Sequence, residues 1–243
     1  MNKKPYYFAY EDRYRAVYAA GLEHWGHSPE DRILYETLKK WVDDHRLQGK
    51  RIVEFACGEG ACGVILSSLG CIYHGVDISD SALQKAAERL QDIPNTELSL
   101  LDMVRERVPD APYDAALDCM GLHMLITDHH REAYLKNAYA SLSQGAPMLF
   151  FRESYREHAY CGSVSSLEEW ERITGEDYHT PQRRSGKDGT ICEIPLLPAR
   201  AKNKQGYLEE MQNAGFTVTA FTEMDINEEI PFSVTIFTKK GTV

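Results

Sequence analysis

The chain has 243 residues, 43% of them hydrophobic and 26% charged, with a formal net charge of −10. That composition is ordinary for a globular protein and is ample for one large core. There is no run of eighteen or more apolar residues, no apolar stretch after the basic Lys3-Lys4, and no long block of Lys and Arg, so the sequence reads against a membrane span, a secretory leader and a nucleic-acid partner. A cytoplasmic protein is expected. None of the six cysteines (Cys57, Cys62, Cys71, Cys119, Cys161 and Cys192) forms a C-x-x-C pair, which reads as reduced thiols. His24-Trp25-Gly26-His27 has no Cys or carboxylate at ligand spacing, so no metal is expected.

Residues from about Tyr10 to Arg46 read as two helices. Ser28-Pro29-Glu30 marks the break between them, with Ser28 as N-cap and Pro29 at the first helical position. Leu34, Leu38 and Trp41 give the second helix its core face. Strands and helices then alternate. Arg51 to Ala56 is a strand, a helix runs from Ala61 to the Gly70 stop, and Cys71 to Ile78 is a second strand. A helix capped by Ser79 or Asp80 carries Leu83, Ala86, Ala87 and Leu90, and strands cover Thr96 to Leu101 and Tyr113 to Cys119. A helix from Asp128 to Leu142 and a strand from Pro147 to Phe151 complete the rhythm. Residues 153–201 break it with a polar, loop-rich insert. A helix over Lys204 to Ala214 and antiparallel strands near Phe216–Phe221 and Pro231–Thr238 close the chain. The predicted fold is α/β, a doubly wound, mostly parallel seven-stranded sheet. Residues 1–48 form an N-terminal helical cover, 49–243 the main domain, and 153–201 a lid.

Chemistry concentrates at the turn after the first strand, Glu54-Phe55-Ala56-Cys57-Gly58-Glu59-Gly60. Gly58 and Gly60 let the backbone turn tightly and approach a ligand. Asp77 ends the second strand, where a carboxylate can accept from both hydroxyls of a ribose. Asp102 follows the third strand, within reach of an adenine amino group, and Glu54 can face a positively charged amino-acid group. Three consecutive strands thus end in carboxylates.

This arrangement resembles the class I S-adenosylmethionine-dependent methyltransferases of the small-molecule type, whose glycine motif reads acid-x-Gly-x-Gly-x-Gly; Ala56 stands in place of the first glycine. The resemblance extends to Asp77, to Leu101-Asp102-Met103, to Tyr113–Asp118 and to Leu208–Phe216. It implies a Rossmann-like methyltransferase fold, S-adenosyl-L-methionine as cofactor, and methyl transfer to O, N or S of a small molecule with release of S-adenosylhomocysteine. It further implies that Gly58 and Gly60 pass under the methionine part, with Glu54 near its ammonium group. Asp77 would hold the ribose, Ile78 would pack on the adenine, and Asp102 and Met103 would frame that ring. Asp118 and Cys119 would lie beside the methyl group.

The same glycines satisfy G-x-G-x-x-G through Gly63, so an NAD(P)-dependent oxidoreductase stays an alternative, as does a non-catalytic cofactor-binding partner subunit. Glu54, Asp102 and the closing helix and strands favour the methyltransferase. After the fourth strand, His123 is the candidate general base. Tyr14, on the stripe Tyr7, Tyr10, Tyr14, Tyr18, is the aromatic candidate for the sulfonium. Trp25, Arg183 and Arg200 are candidates for the small-molecule substrate. A homodimer is left open.

Overall fold

The computed structural model describes residues 4–185, 191–224 and 232–241. Its frame is a seven-stranded sheet. The first five strands are β1 (Arg51–Phe55), β2 (Ile72–Asp77), β3 (Thr96–Leu100), β4 (Ala115–Cys119) and β5 (Pro147–Ser154), all mutually parallel. Of the last two, β9 (Ser233–Lys240) runs antiparallel against β5, and β8 (Phe216–Met224) runs antiparallel against β9 at the sheet edge, giving the order β3-β2-β1-β4-β5-β9-β8. Central strands read as continuous apolar runs because both faces are covered. Val53, Phe55, Met148 and Phe150 pack on one face against Tyr134, Leu135, Tyr207 and Met211. Ile52, Leu117 and Leu149 pack on the other against Leu34, Leu38, Trp41 and Leu66. The doubly wound sheet is therefore as predicted.

The N-terminal segment has α1 (Ala9–Ala19) and α2 (Arg32–His45), with an irregular stretch between. The expected cap at Ser28 is displaced: Asp31 caps α2, its Oδ1 accepting from Leu34 N–H at 3.1 Å. Helices α3 (Ala61–Ser68) and α4 (Asp80–Leu90) flank β2, and Ser79 Oγ caps α4 by accepting from Ala82 N–H at 3.0 Å. Ala87 is exposed, and Ala82 takes the core position beside Leu83, Ala86 and Leu90. Helix α5 (Asp128–Ala140) and α7 (Lys204–Asn213) cover the opposite face.

The insert is more regular than its polar sequence suggests. It holds α6 (Leu167–Thr174) and an antiparallel pair, β6 (Pro181–Ser185) with β7 (Ile191–Pro195). Ser165 N–H donates to Glu169 while Glu169 N–H donates to Ser166 Oγ, a capping arrangement that starts α6. Trp170 packs with Ile126 and Val164 in a separate small core. The link between β8 and β9, residues 225–231, lies outside the described residues, as do residues 186–190 between β6 and β7. No helix among the described residues is long and apolar enough to cross a membrane.

Candidate active site

A cavity of about 1170 Å³ opens at the carboxyl ends of β1, β2 and β4, where strand order reverses between β1 and β4. Its floor is the glycine turn. Ala56, Gly58 and Gly60 have φ of 51°, 52° and 75°, so three of five consecutive residues occupy the left-handed region. Asp77 fastens this turn: Oδ2 accepts from Gly58 N–H at 2.8 Å and Oδ1 from Ser79 N–H at 2.8 Å. Each oxygen keeps a lone pair for a further donor. Burial pushes the Asp77 carboxyl up, while those backbone donors pull it back.

Glu54 is fully buried and lines the cavity, its Oε2 accepting from Tyr73 O–H at 2.5 Å. Burial holds its carboxyl well above the ordinary range, and a cation beside it would favour the charged form. Asp102 accepts from Tyr7 O–H at 3.0 Å and from Val104 N–H at 3.0 Å. Ile78 and Met103 complete that end.

The roof is the N-terminal segment. Tyr14 is buried with its oxygen 2.8 Å from where a Cβ on Gly58 would stand. Trp25 meets Tyr14 edge-on at 5.1 Å and stacks near Tyr10 at 6.5 Å. Glu59, inside the glycine turn, accepts from Trp25 N–H (2.9 Å), Gly26 N–H (3.0 Å) and Tyr18 O–H (2.7 Å). Floor and roof are thereby bonded together.

Most of the expected residues meet here. Glu54, Ala56, Gly58, Asp77, Ile78, Asp102, Met103, Cys119, Tyr14 and Trp25 all line the cavity. Four others do not. Gly60 turns the chain into α3, and a Cβ there would press on Ala86 at 3.1 Å. Asp118 points into the core, accepting from Gly121 N–H at 2.6 Å and from Tyr134 O–H. His123 is buried with Nδ1 2.9 Å from Glu153 Oε2, and burial pushes its pKa down to about 4. Arg200 is 2% exposed and pins loops by donating to Ile126 O (2.8 Å), Asp128 Oδ1 (2.6 Å) and Gly162 O (2.9 Å). Arg183 lies in β6, and its side chain is outside the described residues. Among the described residues, the expected lid at 153–201 contributes no cavity wall. It buttresses the roof from behind, through Tyr10 O–H to Pro198 O at 3.0 Å and through Tyr6 on the Trp170 core.

The sequence reading missed Asp31 and Arg152, which make the far wall together with His27 and Met120. A signal was present: Arg152-Glu153 interrupts an apolar strand, and a buried charge requires a partner. Among the described residues no group of His, Cys, Asp and Glu could hold a metal ion.

Residues 52–145 match the methyltransferase-domain family. The ribosomal protein L11 methyltransferase of Pectobacterium carotovorum is 26% identical over 147 residues, covering 56% of this chain and 48% of the relative. The chain thus spans about half the length of that curated relative. Among solved structures, the 1,6-didemethyltoxoflavin-N1-methyltransferase of Burkholderia thailandensis superposes with a TM-score of 0.66 at 13% identity, covering 100% of this chain and 92% of that one. The [4+2]-cyclase SpnF superposes equally well, with a TM-score of 0.66, 13% identity and coverage of 98% and 97%. Residues 52–145 thus carry a methyltransferase domain, and the sheet order is that of the class I S-adenosylmethionine-dependent methyltransferase fold, with the acid-ringed glycine turn at its switch point.

Proposed function

We propose that this chain transfers the methyl group of S-adenosylmethionine to an O, N or S atom of a small molecule, releasing S-adenosylhomocysteine. The observation that carries the reading is the convergence of Glu54, Asp77 and Asp102, from the ends of three adjacent strands, on one cavity floored by Gly58. The residues fit the cofactor part by part. Asp77 has acceptor capacity left for ribose hydroxyls, Asp102, Ile78 and Met103 frame the adenine end, and Glu54 awaits the ammonium group. When bound, the cofactor supplies a methyl group activated by a sulfonium.

The protein's own contribution is alignment and exclusion of water. Tyr14, Trp25 and the Glu59 clasp close the roof, and the aromatic faces beside the cavity suit a sulfonium. The volume supports a small acceptor, since about 1170 Å³ exceeds the roughly 300–1,000 Å³ of a single-ligand pocket. His123 serves the fold in this reading, because its ring is turned to Glu153 and away from the cavity wall.

Asp77→Ala tests the site. It should weaken S-adenosylhomocysteine binding by about 1–3 kcal/mol and also lower the melting temperature, because two backbone donors lose their acceptor along with the ribose. Unchanged affinity in the folded variant would remove Asp77 from the site.

A further inference from the structure

The wall opposite the glycine turn is built around a cation in an unusual backbone position. Arg152 lies where β5 breaks register against β9, between Phe150 and Glu153, with φ of 58°. The bulge turns a strand residue toward the cavity, and its side chain is only 4% exposed. Nη1 donates to Asp31 Oδ2 at 2.5 Å and Nη2 to Asp31 Oδ1 at 3.2 Å, which neutralises the guanidinium charge. Nη1 also lies 3.1 Å from His27 Nδ1. A guanidinium only donates, so Nδ1 is the acceptor and the neutral ring carries its proton on Nε2. That N–H lies 3.0 Å from the thioether sulfur of Met120, and the ring also hydrogen-bonds the Cys119 thiol. A thioether is a weak acceptor.

Two donors on one wall are therefore poorly satisfied. Arg152 Nε has no acceptor, and among the described residues it is the one unpartnered buried polar side-chain atom that belongs to a cavity-lining residue. His27 Nε2, offered only the weak sulfur acceptors of Met120 and Cys119, is the second. Buried donors without partners are rare and costly, and a ligand oxygen or nitrogen is a natural occupant. Charge narrows the class further. Of the described residues that line the cavity, seven are carboxylic acids and one, Arg152, is a guanidinium already paired with Asp31. An anionic ligand would meet that excess of acids, whereas an uncharged acceptor would not. The rings of Tyr10 and Trp25, which line the same cavity, favour a flat molecule.

Building on the methyl-transfer reading, we propose that Arg152 and His27 select the molecule to be methylated, and that it is an uncharged aromatic or heteroaromatic compound presenting a hydrogen-bond-accepting carbonyl oxygen or ring nitrogen. Asp31 positions Arg152 and makes the pair neutral overall. These residues are specificity determinants and take no part in holding the cofactor.

Three probes of similar shape separate the terms: acetophenone (neutral acceptor), ethylbenzene (no acceptor) and benzoate (anion). Each is titrated by ligand-observed NMR against the full chain saturated with S-adenosylhomocysteine. Acetophenone should bind at least about tenfold tighter than either competitor, the discrimination expected of a site with unpaired donors. In Arg152→Met combined with Asp31→Asn, which keeps an N-cap on α2, and separately in His27→Phe, the advantage over ethylbenzene should shrink to about twofold or less. Affinity for S-adenosylhomocysteine should hold in both variants, a readout that a merely structural role would disturb. Equal binding of acetophenone and ethylbenzene, tightest binding of benzoate, or selectivity that survives in the folded variants would overturn the proposal. Should the double variant not fold, the wild-type ranking and His27→Phe decide it. Failure of the wild-type chain to bind S-adenosylhomocysteine counts against the methyl-transfer reading alone, because the probe ranking is then read on the cofactor-free chain.

Discussion

A Cβ at position 58 would stand 2.8 Å from the Tyr14 hydroxyl oxygen, and the backbone there has φ of 52°. Gly58→Ala therefore meets two penalties, a left-handed backbone costing about 1–2 kcal/mol and a clash with the roof. S-adenosylhomocysteine affinity should fall by about tenfold or more, and adding Tyr14→Phe should recover part of it, because the clash is relieved and the strain is not. Calorimetric titration of the single and double variants reads this directly. Full affinity in Gly58→Ala would contradict the described floor. His123 makes a different prediction. Burial holds its folded pKa at about 4, below the ordinary histidine value of 6.5. As pH falls from about 6.5 toward 4, the unfolded chain gains a proton there that the folded chain refuses, so stability is lost across that window. Denaturant unfolding of His123→Gln should show a shallower loss than wild type between those pH values. Equal slopes would mean that His123 titrates freely.

At the scale of elements, the contact that matters most is the one Glu59 makes between the glycine turn and the N-terminal segment. Its carboxylate accepts from two backbone N–H groups and a tyrosine, and an amide presents one oxygen where the carboxylate presents two. Glu59→Gln should weaken cofactor binding by about 1–3 kcal/mol, expressed chiefly as faster dissociation, with faster amide exchange over residues 9–27. An unaltered dissociation rate would show that the roof does not gate the cofactor. How far these elements were legible follows from what each depends on. The parallel strands were readable because burial on both faces leaves long apolar runs such as Met148–Phe151. Helix α2 was placed early because Ser28-Pro29 has a capping pattern, whereas Asp31, held also by Arg152 from a distant strand, is the cap. Helix α6 was hidden by polar sequence, its order resting on a small core around Trp170 rather than on periodicity, and the β6–β7 pair is held by its own backbone pairing.

At the scale of the whole molecule, the cofactor half and the acceptor half of the cavity differed in legibility for one physical reason. Glu54, Gly58, Asp77 and Asp102 sit at strand ends or in tight turns, so local sequence places them. Arg152, His27 and Asp31 come together only when the β5 bulge and the N-terminal segment are both in place, a long-range event that the local sequence signals only through the charges of Arg152-Glu153 after an apolar run. The fold leaves the chemistry open in principle, since a cyclase shares it, and function resides in the site. The most direct measurement is therefore calorimetric titration of the purified full chain with S-adenosylmethionine, S-adenosylhomocysteine, NAD and NADP. The described cavity predicts saturable one-to-one binding of the two sulfur nucleosides, lost together in Asp77→Ala, and no comparable binding of either dinucleotide. Binding of NAD or NADP with no response to S-adenosylhomocysteine would contradict it.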